Sequence, residues 1–276
     1  MSVPLLAHDV VHPEGDLTFV FVHGILGSRN NWRGFVRRLI ERLPRARCVL
    51  VDLRNHGDSH GQPPPHTIRA SADDVANLVS HLGLQPDVLV GHSYGGKVML
   101  ELALGHTVAA RVAWSLDSPP GVRTFGEARE QLDAVLDGVA GISLPVADRK
   151  ALVSSLLERG LPDPIAQWMT TNLRPADDGA GFVWRFDLGA IPQMLASFGV
   201  CDLWPALEAH QGSPEVHIVR GGRSDRWSDD ERARLLRAVA RGVVVEHVLP
   251  TAGHWVHTDD AEGLLALLVE SARSMT

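Results

Sequence analysis

The chain has 276 residues, 45% of them hydrophobic and 21% charged, with a formal net charge of −7 at pH 7. That is enough apolar material for one large globular core, and an acidic chain with scattered basic residues argues against a nucleic-acid-binding surface. No basic leader followed by an apolar stretch opens the chain and no later run is long enough to span a bilayer, so a soluble, cytoplasmic protein is expected.

Short apolar runs at 17–23 and 48–52 end in polar, glycine-containing loops, as buried parallel strands do. Between them Trp32, Phe35, Val36, Leu39, Ile40 and Leu43 recur at steps of three and four, with Pro44 beyond, which predicts a helix. A second helix is predicted over 67–82 with Gly83 as its stop. A strand at 87–90, a helix over 97–104 and a strand at 111–116 follow. After an irregular middle come strands at 215–219 and 243–249 separated by a helix over 229–240, and a last helix over 259–272. Strands alternating with helices predict a mostly parallel, doubly wound sheet covered on both faces. Cys48 and Cys201 lie far apart in the chain and read as unpaired, small core residues.

The middle breaks the alternation. It holds helical patterns at 127–139 and 148–158, several prolines and the aromatic piece Phe182-Val183-Trp184-Arg185-Phe186. A helical segment that interrupts a parallel sheet is expected to lie over the carboxyl ends of the strands, where ligands of such sheets bind. The predicted division is a core of 1–118 and 206–276 with a helical cap insertion of 119–205. Trp168, Met169, Trp184, Phe186, Met194, Phe198 and Trp204 are candidates for an apolar pocket lining or for the interior of that cap.

Ser93 lies in Gly91-His92-Ser93-Tyr94-Gly95-Gly96, between a predicted strand and a predicted helix. A serine hydroxyl is a poor nucleophile unless a sharp turn presents it to a base and a helix N-terminus helps to hold the developing charge. The base candidate is His254, in the loop between the last strand and the last helix. His92 is expected to pack against the sheet and His257 to be a loop or helix-start residue. His56 and His60, near Asp52 and Asp58, have metal-like spacing but no supporting ligand motif, and no metal is expected. Two carboxylates compete to orient the base: Asp225, after the penultimate strand, and Asp117, at the end of the strand that follows the nucleophile strand. The run His23-Gly24-Ile25-Leu26-Gly27-Ser28 offers a turn over the site, so the amides of Ile25 and Tyr94 are the candidate oxyanion donors. His23, Gly24, Trp184 and Trp255 are candidate substrate contacts.

Together these motifs resemble the α/β-hydrolase fold superfamily along nearly the whole chain. More narrowly, Asp52-Leu53-Arg54-Asn55-His56-Gly57-Asp58-Ser59, Gly95-Gly96-Lys97, Thr171-Asn172-Leu173 with Phe182 to Phe186, and Ala252-Gly253-His254-Trp255-Val256-His257 resemble the YbfF-type serine esterases and their eukaryotic relatives. The resemblance implies that the acid lies in D-x-x-P after the nucleophile strand, which Asp117 and Pro120 match. In that family the loop after the next strand reads G-G-x-S without an acid, and Asp225 departs from this. The resemblance further implies hydrolysis of a small-molecule carboxylester or acyl thioester through an acyl-enzyme, with no cofactor. A carbon–carbon bond hydrolase, a cofactor-free haloperoxidase and a non-catalytic ligand-binding member of the fold are the competing readings.

Overall fold

The computed structural model describes residues 4–105, 108–123 and 127–275, the side chains of 127–132 excepted. In chain order the elements are β1 (His8–Val11), β2 (Leu17–Val22), α1 (Asn30–Arg42), β3 (Ala46–Val51), α2 (Ile68–His81), β4 (Val88–His92), α3 (Tyr94–Leu104) and β5 (Val112–Leu116). Then follow α4 (Glu127–Ala140), α5 (Arg149–Glu158), α6 (Asp163–Met169), β6 (Leu173–Pro175), β7 (Phe182–Trp184), α7 (Ile191–Val200) and α8 (Trp204–Ala209). The chain closes with β8 (Glu215–Gly221), α9 (Asp229–Ala240), β9 (Val245–Leu249), α10 (Val256–Asp259) and α11 (Ala261–Arg273).

Seven strands form one sheet in the order β1-β3-β2-β4-β5-β8-β9. All neighbours are parallel except β1, which pairs antiparallel to β3 with His8 opposite Val51 and Val11 opposite Cys48. The period of two along β2 divides its side chains between the two faces. Phe19 and Phe21 join Trp32, Phe35 and Leu39 of α1 and Leu264 and Leu268 of α11 in one apolar cluster. Val20 and Val22 join Val75 and Leu78 of α2 and Val98 and Leu102 of α3 in the other. The mostly parallel, helix-covered sheet read from the sequence is the architecture found.

Between β5 and β8 the described residues add no strand to this sheet. Helices α5, α6 and α7 and the β6–β7 hairpin share the apolar cluster of α2 and α3 through Leu152, Leu156, Met169, Trp184, Phe186 and Met194. Both ends of this segment are tied to α3 by one side chain. The buried Lys97 ammonium donates to the carbonyls of Gly121 (2.7 Å), Phe198 (2.9 Å) and Cys201 (2.9 Å), and it lies 4.4 Å from the Phe198 ring centroid. Three donors meet three acceptors, although burial still pulls the Lys97 pKa down to about 8.

The edge strand β1 has no counterpart in the sequence reading, because four half-exposed residues carrying His8 and Asp9 show no apolar run. Cys48 is buried, Cys201 is half-buried, and both are free thiols. Residues 1–3, part of the stretch on which the leader reading rests, lie outside the described residues. Among the described residues no helix is long and apolar enough to cross a membrane.

Candidate active site

The turn from β4 into α3 places Ser93 at φ 53° and ψ −117°, a left-handed conformation that costs a non-glycine residue free energy and is held only where the surroundings dictate it. The flanking glycines make the turn possible by close approach. A Cβ on Gly91 would lie 2.1 Å from the Gly95 carbonyl oxygen, and one on Gly95 would lie 2.5 Å from that of His23. The Ser93 amide donates to Leu116 O at 2.9 Å, which fixes the turn against β5.

His254, in the loop after β9, brings Nε2 to 3.1 Å from Ser93 Oγ and Nδ1 to 2.8 Å from Asp117 Oδ2. Asp117 follows β5, itself left-handed at φ 47°, and is fully buried. Both of its oxygens are occupied. Oδ2 also accepts from Ser224 Oγ at 2.5 Å, while Oδ1 accepts from Gly221 N and Trp227 Nε1, each at 3.1 Å. Burial lowers the pKa of His254 below the ordinary histidine value; Asp117 opposes that shift, and the guanidinium groups of Arg226 and Arg123 add to it. A neutral imidazole with its Nδ1 proton on the carboxylate presents a lone pair to Ser93, the arrangement needed to take a hydroxyl proton.

The loop after β2 lies against this turn. Gly24 comes so close that a Cβ there would stand 3.2 Å from Ser93 Cβ and 3.2 Å from His92 Nδ1. Neither the Ile25 nor the Tyr94 amide has an acceptor among the described residues, and both residues line the cavity above Ser93. Two buried histidines shape the loop. His23 donates from Nδ1 to Gly24 O (2.7 Å) and accepts at Nε2 from Leu53 N (3.0 Å). His56 donates from Nδ1 to Arg54 O (2.9 Å) and accepts at Nε2 from Leu26 N (3.0 Å). Each ring uses one nitrogen as donor and the other as acceptor, so each is neutral, and burial pushes their pKa values down to about 4 and about 3.

The cavity holds about 500 Å³. Its floor is Ser93, His254 and the 23–27 loop, and its roof comes from the segment between β5 and β8, including Leu161, Ile165, Trp168, Leu195 and Phe198.

A family profile described as "Alpha/beta hydrolase family" matches residues 19–267, nearly the span of the sheet. This chain belongs to the alpha/beta hydrolase family. It is 30% identical over 265 residues to the sn-1-specific diacylglycerol lipase ABHD11 of Mus musculus, covering 91% of this chain and 80% of the relative. It is 24% identical over 270 residues to Esterase YbfF of Escherichia coli (strain K12), covering 96% of each. Among solved structures it superposes on a marine microorganism esterase with a TM-score of 0.82 at 19% identity, covering 98% of this chain and 99% of that one.

Within this alpha/beta hydrolase the two sequence candidates for the acid separate in space. Asp117 reaches His254; Asp225 does not, because its exposed carboxylate turns to Arg226, with Oδ1 3.1 Å from Nε. The loop after β8 contributes Ser224 and Trp227 instead, two donors that brace Asp117. Of the candidate substrate contacts, His23, Gly24 and Trp255 line the cavity, although both ring nitrogens of His23 are already engaged. Trp184 is not in the described lining. It is buried against Phe186, ring centroids 5.2 Å apart, inside the insertion. Trp168 and Phe198 do line the cavity, whereas Met169, Phe186, Met194 and Trp204 are core. The metal-like spacing of His56 and His60 is explained by the use of both His56 nitrogens within the protein.

His92 is the residue whose part sequence reasoning missed. Rather than packing only on the sheet, it donates from Nε2 to the His254 carbonyl at 2.8 Å and so holds the loop that carries His254. Its position beside Ser93 was the available signal. Two motifs noted separately are also one structure: Asp187 N donates to Asn55 O at 2.9 Å and His56 bridges Phe186, so the aromatic piece is stitched to the loop after β3.

Proposed function

We propose that this protein is a serine hydrolase that cleaves carboxylesters or acyl thioesters through an acyl-enzyme. The observation that carries the reading is the hydrogen-bonded series Ser93, His254, Asp117 at the base of an apolar cavity. His254 takes the Ser93 proton as Oγ attacks the carbonyl carbon. The amides of Ile25 and Tyr94 receive the oxyanion, with the first turn of α3 adding its positive end. Collapse of the tetrahedral intermediate expels the alcohol or thiol, protonated by His254. Water, deprotonated by the same imidazole, then attacks the acyl-enzyme and releases the acid. Residues 119–205 act as the cap that excludes bulk water and sets the shape of the acyl site. The relatives named as esterases and lipases support the same chemistry.

The test is labelling with a fluorophosphonate probe alongside hydrolysis of 4-nitrophenyl butanoate. Wild type is expected to label and turn over, and Ser93→Ala to do neither while keeping the wild-type circular dichroism spectrum. Turnover persisting in folded Ser93→Ala overturns the assignment.

A further inference from the structure

The described lining of the cavity carries three arginines, Arg123, Arg159 and Arg226, and one carboxylate, Asp259. Asp259 is already occupied, accepting from Gly253 N at 2.8 Å. Arg159, whose guanidinium donates to Gly141 O, is likewise used by the protein. Arg123 and Arg226 are left. Arg123 leaves β5 just beyond Asp117, with its amide on Gly199 O at 2.9 Å and its guanidinium 6.0 Å from the Phe198 ring. No described carboxylate pairs with it. Arg226 lies between the two braces of Asp117, and its own amide donates to Ser224 Oγ at 3.2 Å. Its carboxylate neighbour is Asp225, which is 57% exposed and therefore well screened, and Nε forms no aligned hydrogen bond with it.

Two guanidinium groups beside an apolar roof are costly unless an anion meets them. Both line the cavity whose floor is Ser93 and His254, so they border one common space next to the reacting atoms. The planar fork of a guanidinium matches a carboxylate in two parallel hydrogen bonds. Resting on the hydrolase reading above, we propose that Arg123 and Arg226 form an anion subsite and that the substrate is an ester or thioester carrying a free carboxylate close to the scissile carbonyl. The carboxylate binds the two guanidinium groups, the carbonyl oxygen meets the Ile25 and Tyr94 amides, and the intervening chain lies against Trp168 and Phe198. A neutral ester of the same length leaves Arg123 without a carboxylate and Arg226 with only the exposed Asp225.

The experiment compares kcat/KM, by pH-stat, for monoethyl glutarate against ethyl pentanoate, which tests a carboxylate on the acyl portion. The pentanoyl ester of 4-hydroxybutanoate against butyl pentanoate tests a carboxylate on the alcohol portion. In wild type one charged member is expected to be preferred about tenfold or more, the size of one charge-assisted hydrogen bond, with most of the difference in KM. That preference is expected to fall about tenfold in Arg123→Met and in Arg226→Met, and to return in part in Arg226→Lys. Ratios near one for both pairs in wild type, or ratios that neither variant changes, overturn the subsite. Thermal stabilisation by free glutarate, compared with the neutral glutaramide, reads the subsite without turnover. If no ester is cleaved and no fluorophosphonate label appears, the hydrolase reading fails by itself. Glutarate stabilisation lost in the arginine variants then still supports the subsite, and no stabilisation of wild type overturns it.

Discussion

Replacing Asp117 by Asn tests the geometry at its most constrained point. An Asn side chain has one oxygen where Asp117 now uses two, each accepting from two donors. Gly221 N–H and Trp227 Nε1–H are fixed donors that cannot turn away. Placing the amide NH2 against them strands two buried donors at about 1–3 kcal/mol each. The oxygen therefore stays on that side and the NH2 faces His254 and Ser224. The Ser224 hydroxyl can rotate to accept, but His254 must change tautomer, presenting a lone pair at Nδ1 and carrying its proton at Nε2. That proton then points at Ser93 Oγ, and the base is lost.

The expected cost is about four orders of magnitude in kcat, the effect known for amidation of the aspartate in a serine protease triad. Asp225→Asn is expected to stay within about threefold on a neutral ester, since that carboxylate is exposed and paired with Arg226. Steady-state hydrolysis of 4-nitrophenyl butanoate by both variants, with urea melts to show that each is folded, measures the difference. A collapse in Asp225→Asn with Asp117→Asn near wild type refutes the argument.

Further outcomes follow from the same contacts. His56→Ala removes the acceptor of Leu26 N, loosening the loop that carries the Ile25 amide; kcat for a neutral ester is expected to fall about 10- to 100-fold with little change in KM. Lys97→Met leaves the carbonyls of Gly121, Phe198 and Cys201 without their donor, offset in part by removal of a buried charge, so urea unfolding should show a loss of about 2–4 kcal/mol. His23 and His56, held neutral with pKa values near 4 and 3, make the fold acid-sensitive: below about 6.5 the unfolded chain binds protons that the folded chain refuses. Their stabilisation is complete above that value and drains away as pH falls towards 4, at about 1.4 kcal/mol per pH unit for each histidine, which urea midpoints at pH 7, 6 and 5 will show. Midpoints that do not move between pH 7 and 5 count against the neutral assignment.

The sheet was legible because β2, β3, β4 and β5 are almost wholly buried, so their runs are mostly apolar on both faces and stand out from the helical periodicity around them. The pairing of Ser93 with His254 was legible because both follow strand ends, where chain order and position coincide. The carboxylate beside His254 was not, since Asp117 and Asp225 both follow strands on the same side of β4, one and two strands away. What separates them is the backbone: β5 and β8 are neighbours in register, Leu116 beside Val219, and the left-handed turn at Asp117 sends that carboxylate inward while the next loop sends in Ser224 and Trp227. Trp184 misled because an aromatic in a cap reads the same whether it faces ligand or core. The roof residues come from loops and helix ends whose spacing carries no period.

Histidine is the residue best suited to move a proton near neutral pH, yet of the five rings around this site only one faces the nucleophile. His23 and His56 spend both nitrogens on the backbone, His92 holds the His254 carbonyl, and His257 is half-buried between the rings of Trp32 and His92 with its pKa down to about 4. Burial makes these four into neutral, directional hydrogen-bonding or packing groups. His254 is half-buried and also lowered, but it alone has a carboxylate on one nitrogen and a hydroxyl on the other. The carboxylate offsets part of the basicity that desolvation removes, and the arginines of the cavity lower it further; in the proposed mechanism the imidazole is neutral at rest and gains a proton as Ser93 gives one up. The difference among identical side chains is therefore set by partners rather than by depth, and Asp117 is the partner that fits one histidine for the base role proposed above and leaves the rest as scaffold.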